Sequence, residues 1–269
     1  MRRKSIVRLV TLPALVLAAF LTGAYQAAPH VRLRIGLINP VATSTSSASA
    51  STARGVRLGA AEAKQTAKLF GDDVELYEAS ASGDAGAVGA AKKLSASRQI
   101  QVLIGASSDD ADALSGFAES KKILFFNVAS RASSLRAACR RYTFHIEATG
   151  NRSDSLLLWS STLERFGAAQ INDRYRRQYR IPMDGSAWAG WAAAKIAAEA
   201  ALRSRSTKPS ALLAYLESPQ SRFDGHKGRP LTFRTADHQL RQPLYSRDAN
   251  EVLDQLGGDL ARPCPWSKP

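Results

Sequence analysis

Apolar and polar residues alternate from Val31 to Ile38, where Arg32 and Arg34 separate Val31, Leu33, Ile35 and Leu37. A period of two predicts a strand. The Ser/Thr/Ala-rich stretch from Thr43 to Thr52 follows; its composition reads as a flexible connection, with a mobile rim of a cleft as the alternative. Beyond it, Val56, Ala60, Ala63, Ala67 and Phe70 fall near one face of a helix that Gly71-Asp72 stops. The alternation then repeats. Val74 to Tyr77 is a strand, Ala85 to Leu94 a helix, and Val102 to Ile104 a strand. Asp109 to Ser120 is a helix with Leu114, Phe117 and Ala118 apolar, and Ile123 to Val128 is a fourth strand. Four strands alternating with helices of about a dozen residues predict an α/β fold, a three-layer sandwich whose mainly parallel sheet is covered on both faces. Short connections make the crossovers right-handed.

The second half has a different texture. Thr162 to Tyr179 predicts a helix with Phe166, Ala169, Tyr175 and Tyr179 near its apolar stripe, and Ser186 to Ala201 a helix rich in alanine. Trp188 and Trp191, three apart in it, read as packing rather than as a ligand platform. Lys208 to Glu217 is a shorter helix. Residues 223 to 246 are turn-rich, with strands around Pro230 to Arg234 and Pro243 to Ser246, and Ala249 to Leu256 predicts a last helix.

The N-terminus carries Arg2, Arg3, Lys4 and Arg8, then an apolar run from Leu9 to Leu21, then Thr22-Gly23-Ala24. That is the layout of a secretory signal, read here as residues 1–24. The run is shorter than a membrane-spanning helix needs and Pro13 interrupts it, so a retained anchor is the lesser reading. Subtracting those four basic residues takes the formal charge from +14 to about +10. The basic residues are scattered, with small clusters such as Arg174, Arg176 and Arg177, which fits a solvated helix face better than a nucleic-acid surface. Cys139 and Cys264 are the two cysteines. In an oxidising compartment such a pair forms a disulfide or stays as two free thiols, and the spacing leaves both open.

Enzyme signatures are missing from the sequence: no Gly-x-Ser-x-Gly elbow, Walker loop, Gly-x-Gly-x-x-Gly fingerprint or His-Glu-x-x-His pair is present. No catalytic residue, metal or cofactor is called for. The stretch "VLIGASSDDADALSGF", residues 102 to 117, instead puts Ser107 and Ser108 at the carboxyl end of a strand where a helix starts. Ligands of open parallel sheets sit beyond such ends, against helix N-termini. One of Ser107, Ser108 or Asp109 is expected to cap that helix.

The order "RLRIGLINP", a small-residue loop, "ARGVRLGAAEAK", "VLIGASSDDADAL" and "ILFFNVAS" resembles the first lobe of type I periplasmic binding proteins, the leucine/isoleucine/valine-binding class that serves ABC transporters. The later "WAGWAAAKIAAEAAL" and "SALLAYLESPQSRFDGHKGRPLTFRTADHQLRQPLY" are similar to the closing part of that class, in a branch associated with PQQ-dependent alcohol oxidation. The resemblance implies a Rossmann-like lobe and ligand contacts after the third and fourth strands, at Ser107, Ser108, Ala129, Ser130 and Arg131. Relatives in the class have two lobes. Here residues 143 to 170 pass almost directly to the late helices, so the resemblance implies a single lobe over residues 31–246, with 31–148 and 160–246 joined across a shortened crossover and 247–269 as a tail.

A single wall leaves a shallow, wet surface where a two-lobed binder encloses its ligand. The implied function is the exported, periplasmic substrate-binding component of an ABC transporter, taking a branched-chain amino acid or a related small polar metabolite and docking on a membrane permease. No nucleic-acid partner is expected. The alternative is a protein-interaction module derived from such a binder, its exposed cleft face inviting a partner or a homodimer. A hydrolase using Ser107 or Ser108 and a degenerate product without function are lesser readings.

Overall fold

The structure, a computed structural model, describes residues 30–41, 46–148, 156–246, 251–255 and 263–266, the backbone alone for 251–255. The leader read at residues 1–24 lies outside the described residues. Five parallel strands form the main sheet: β1 (Arg32–Pro40), β2 (Asp73–Ala81), β3 (Val102–Gly105), β4 (Leu124–Asn127) and β5 (Thr143–His145), in the order β2-β1-β3-β4-β5. The fifth strand was not among the four predicted, because three residues are too few to show a period.

Helices α1 (Ser47–Lys68), α2 (Gly83–Arg98), α3 (Ala111–Lys121) and the short α4 (Ser133–Ala137) alternate with these strands. Helices α5 (Ala168–Tyr179), α6 (Gly185–Ser204) and α7 (Pro209–Leu216) follow. Helices α1, α6 and α7 cover one face of the sheet, and α2 and α3 the other. The strand alternation explains the division: Leu33, Ile35, Val102, Ile104 and Phe126 point into the first core, Ile38, Leu103 and Phe125 into the second. These layers form an α/β sandwich whose parallel sheet is covered by helices on both faces. A small antiparallel sheet, β6 (Thr232–Phe233), β7 (Leu240–Tyr245) and β8 (Glu251–Gln255), sits beside it.

Three predicted elements change. The small-residue stretch is not a loop at its second half, because Ser47 to Thr52 are the first turns of α1, capped by Ser46 Oγ accepting from Ser49 N at 3.1 Å; residues 43–45 lie outside the described residues. The helix expected from Thr162 begins only at Ala168, since Phe166 (φ 57°) and Gly167 (φ 83°) are left-handed and break it. The helix expected at Ala249 to Leu256 is instead a strand over Glu251–Gln255, where pairing with β7 overrides local helix preference.

Small residues in α1 and α6 have a structural purpose. A Cβ on Gly55 would lie 1.9 Å from Ala187 O, one on Gly59 2.5 Å from Trp191 O, and one on Gly190 2.3 Å from Thr52 O. The two backbones therefore touch, running side by side in the same direction. Their first turns are tied by Ser51 Oγ donating to Asp184 Oδ2 at 2.8 Å, while Asp184 Oδ1 caps α6 through Ala187 N at 2.8 Å. Trp188 and Trp191 are both buried here. Trp188 receives the ammonium of the buried Lys227 at 3.7 Å from its ring centre, and Lys227 also donates to Gln242 Oε1 and Pro243 O. Burial pushes the pKa of that ammonium well below its ordinary value. Cys139 and Cys264 are joined by a disulfide, with 5.4 Å between their Cα atoms.

Candidate functional site

Strands β3 and β4 are parallel neighbours, with Ile104 opposite Phe126, so the loops that follow them leave the same edge of the sheet. The first of these loops holds Ser107, half-buried, and Ser108, exposed. Neither hydroxyl caps α3, contrary to expectation. The N-cap residue is Asp110, whose side chain makes no cap hydrogen bond, and Ala111 N reaches back to Ser108 O at 3.3 Å. That extra turn delays the helix, and the hydroxyls bond inside the loop: Ser107 Oγ accepts from Asp109 N at 3.2 Å and Ser108 Oγ donates to Asp109 Oδ1 at 3.0 Å. Asp110 is buried, which together with Asp84 and Asp109 raises its pKa.

The second loop is more rigid. Asn127, the last residue of β4, accepts from Ser130 N at 2.9 Å and donates to Ser130 O at 2.8 Å, so its amide clasps the turn. Ser130 is buried, while Ala129 and Arg131 are half-buried. Arg131 Nε donates to Glu147 Oε1 at 3.0 Å. Burial raises the Glu147 pKa, and Arg131 opposes that shift. Behind the loop lies Arg136 of α4, which donates to Ser130 O, Ala132 O, Glu147 O and Gln239 Oε1. Its pKa falls to about 10, chiefly through burial. Gln239 completes the floor by donating to His145 O and Glu147 O, both at 3.1 Å.

The five predicted residues thus stand on two neighbouring loops of one edge. Three of them, Ser107, Ser108 and Arg131, present polar side chains that are not fully buried. Two groups at this edge were missed. Arg136 and Gln239 hold the β4 loop from below, but 103 residues separate them and nothing in either segment signals the contact. The start of α1 also opens on this edge, because it follows β1, the neighbour of β3. It has a serine cap and no acidic residue in its first turn, so the partial positive charge of the helix start is not offset within the helix itself. The sequence signal for it, Ser46 followed by an amphipathic run, was hidden by the low hydrophobicity of the intervening residues.

The arrangement offers hydrogen-bonding groups to a polar head group. Helix starts supply N–H donors and the serines supply hydroxyls. Among the described residues no three His, Cys, Asp or Glu side chains are grouped as a metal site, and His145 and His238 are buried away from solvent.

Several solved structures share this fold. A branched-chain amino-acid ABC transporter periplasmic ligand-binding protein of Burkholderia xenovorans is 13% identical, with a TM-score of 0.65, over 88% of this chain and 100% of that one. The branched-chain amino-acid transporter substrate-binding protein LivJ of Streptococcus pneumoniae, bound to isoleucine, is 12% identical, with a TM-score of 0.64, over 84% and 99%. A solute-binding protein of an R. palustris ABC transporter, bound to benzoate, is 15% identical, with a TM-score of 0.63, over 86% and 97%. No curated protein sequence matches the chain. Residues 32–167, just over half of the 269-residue chain, match the periplasmic binding protein family, spanning β1 to β5 and both candidate loops; the chain belongs to that family.

Proposed function

We propose that this protein is an exported substrate-binding component of an ABC transporter, taking a branched-chain amino acid or a related small polar metabolite and performing no chemistry. The observation that supports it most is the placement of the β3 and β4 loops, within the family match, on one edge of a parallel sheet. Ser107, Ser108, the Ala129–Arg131 turn and the start of α1 form the binding wall in this reading. Export rests on the sequence of residues 1–24 and places the mature protein in the periplasm. The late segment's resemblance to the branch associated with PQQ-dependent alcohol oxidation extends the ligand class to short alcohols, aldehydes and carboxylates.

The second lobe is absent in this reading, so another chain must supply the opposing wall. The permease or a second copy of the lobe is the candidate, and affinity in isolation is modest. The test is a thermal melt of the mature chain with a panel of amino acids and those small metabolites. A specific ligand at about 100 times its Kd adds roughly 2.7 kcal/mol, a readable rise in Tm. The double variant Ser107→Ala/Ser108→Ala should keep the unliganded Tm and lose most of the rise. No compound raising the Tm, with a cooperative melt intact, would overturn small-molecule binding; sedimentation at several concentrations then tests for a homodimer.

A further inference from the structure

A groove of about 950 Å³ lies far from the β3 and β4 loops. Helices α1 and α6 both start at the carboxyl edge of the sheet, and the groove is lined by their last turns and by residues 222–230, so it opens at the opposite end. Its volume is at the upper end of the range for small-ligand pockets, roughly 300–1,000 Å³. Phe70, Phe166, Leu202, Phe223 and Pro230 make its apolar wall.

Two features mark it as more than a surface crease. Phe166 is 60% exposed at the rim, although its backbone sits at φ 57° and ψ 28°, a strained region for an aromatic residue. Its ring lies so close over Gly228 that a Cβ there would come within 2.5 Å of it, and its carbonyl accepts from His226 Nδ1 at 3.3 Å. A strained backbone thus holds an aromatic ring out at the mouth, where Phe70 is 67% exposed as well.

The second feature is charge. Lys195, Arg203, Arg205, Arg222 and Arg229 line the groove against three carboxylates, Asp72, Glu199 and Asp224. Asp72 is taken by Arg205, and Glu199 by Arg203 at 2.8 Å. Lys195 is 4.0 Å from Glu62, which already accepts from Arg174 at 2.7 Å and from Trp191 Nε1 at 2.9 Å. Arg222 is exposed and donates to Pro219 O at 3.0 Å, with no carboxylate in ion-pair reach among the described residues.

We propose that this groove is a second binding site, for an amphipathic monoanion: a carboxylate on an aromatic or aliphatic body. The body lies on the phenylalanine and leucine wall and the carboxylate turns to Arg222 and Lys195. The site does not depend on the cleft-edge reading. Calorimetric titration of the mature chain with 4-phenylbutyrate and with octanoate tests it. Both acids should bind, and their neutral amides should bind less. Arg222→Glu removes the cation. Phe166→Asn removes the ring while keeping a residue that tolerates positive φ. Each variant should melt cooperatively and lose about tenfold or more in affinity. No heat from either acid, or wild-type affinity retained in both variants, would overturn the proposal. If the free acids give nothing but anionic phospholipid vesicles retain the wild type and release the variants, the groove is a membrane face, and the small-ligand site is overturned.

Discussion

His145 is wholly enclosed at the end of β5, and its Nδ1 lies 3.1 Å from the amide nitrogen of Asn127. That nitrogen donates, so Nδ1 accepts and the ring is neutral with its proton on Nε2. Burial holds its pKa well below the ordinary 6.5, and the charges of Arg136 and His238 push the same way. Between the two pKa values the unfolded chain binds a proton that the native chain refuses, so stability falls as pH drops through about 6.5, by up to about 1.4 kcal/mol per pH unit. Glu147 works in the opposite sense. Its pKa is raised above 4.5, so the native chain holds the extra proton there and acid favours folding. His145→Gln separates the two: its urea midpoint should fall less than the wild type's between about pH 7 and about pH 5. Equal falls would show that another group sets the acid response. The histidine's role was not legible in the sequence, which gave four dispersed histidines and no means of telling which one the sheet encloses.

At the scale of elements, the crossing of α1 and α6 decides how well the sequence could be read. Ser47 to Thr52 lack large apolar residues, so they read as a connection, yet the lack of side-chain bulk is what lets two helices meet backbone to backbone. The evidence for that lay in the partner: Gly190 and the alanines of α6 match Gly55 and Gly59 only once both helices are in place. Strand β1 was legible because Arg32 and Arg34 alternate with apolar residues at its start, and β3 and β4 because strands buried on both faces read as short continuous apolar runs. The start of α5 was not, since the apolar stripe runs on through Phe166 and only the left-handed backbone stops it. Glycine substitutions make the crossing testable. Gly55→Ala puts a methyl group into a carbonyl oxygen and should cost about 1–3 kcal/mol as the helices part. Gly89→Ala, in α2, meets nothing within 4 Å and should stabilise by up to about 1 kcal/mol through helix propensity. Chemical denaturation of both variants reads the contrast; a stabilised Gly55→Ala would mean that the helices stand further apart.

Over the whole molecule, one covalent link joins what the sequence keeps apart. Cys139 leaves α4 on the way to β5, and Cys264 lies 125 residues later, beyond the small sheet. Around the bond, Cys264 N donates to Ala236 O at 3.0 Å, Trp266 Nε1 donates to Cys139 O at 2.9 Å, and the Trp266 ring lies 4.2 Å from His238, itself stacked on Phe144 of β5. The last described residues are therefore fixed against the edge strand next to the β4 loop. The two cysteines and the expectation of a secretory leader made the bond legible as one of two options; the distance that decides between them exists only in the fold. The candidate site was legible in the same partial way, since strand ends and hydroxyls show in sequence while the Arg136–Gln239 floor does not. Closing so long a loop restricts the unfolded chain, which in typical cases adds about 2–4 kcal/mol. Cys139→Ser/Cys264→Ser should lose that amount in oxidising buffer and match the wild type once reductant is added. The loss should also weaken any ligand at the β4 loop, because the edge strand beneath it is freed at one end. If the wild type keeps its midpoint after its thiols titrate as reduced, the packing of Trp266 on His238 holds the tail without the bond, and the disulfide contributes little to the lobe.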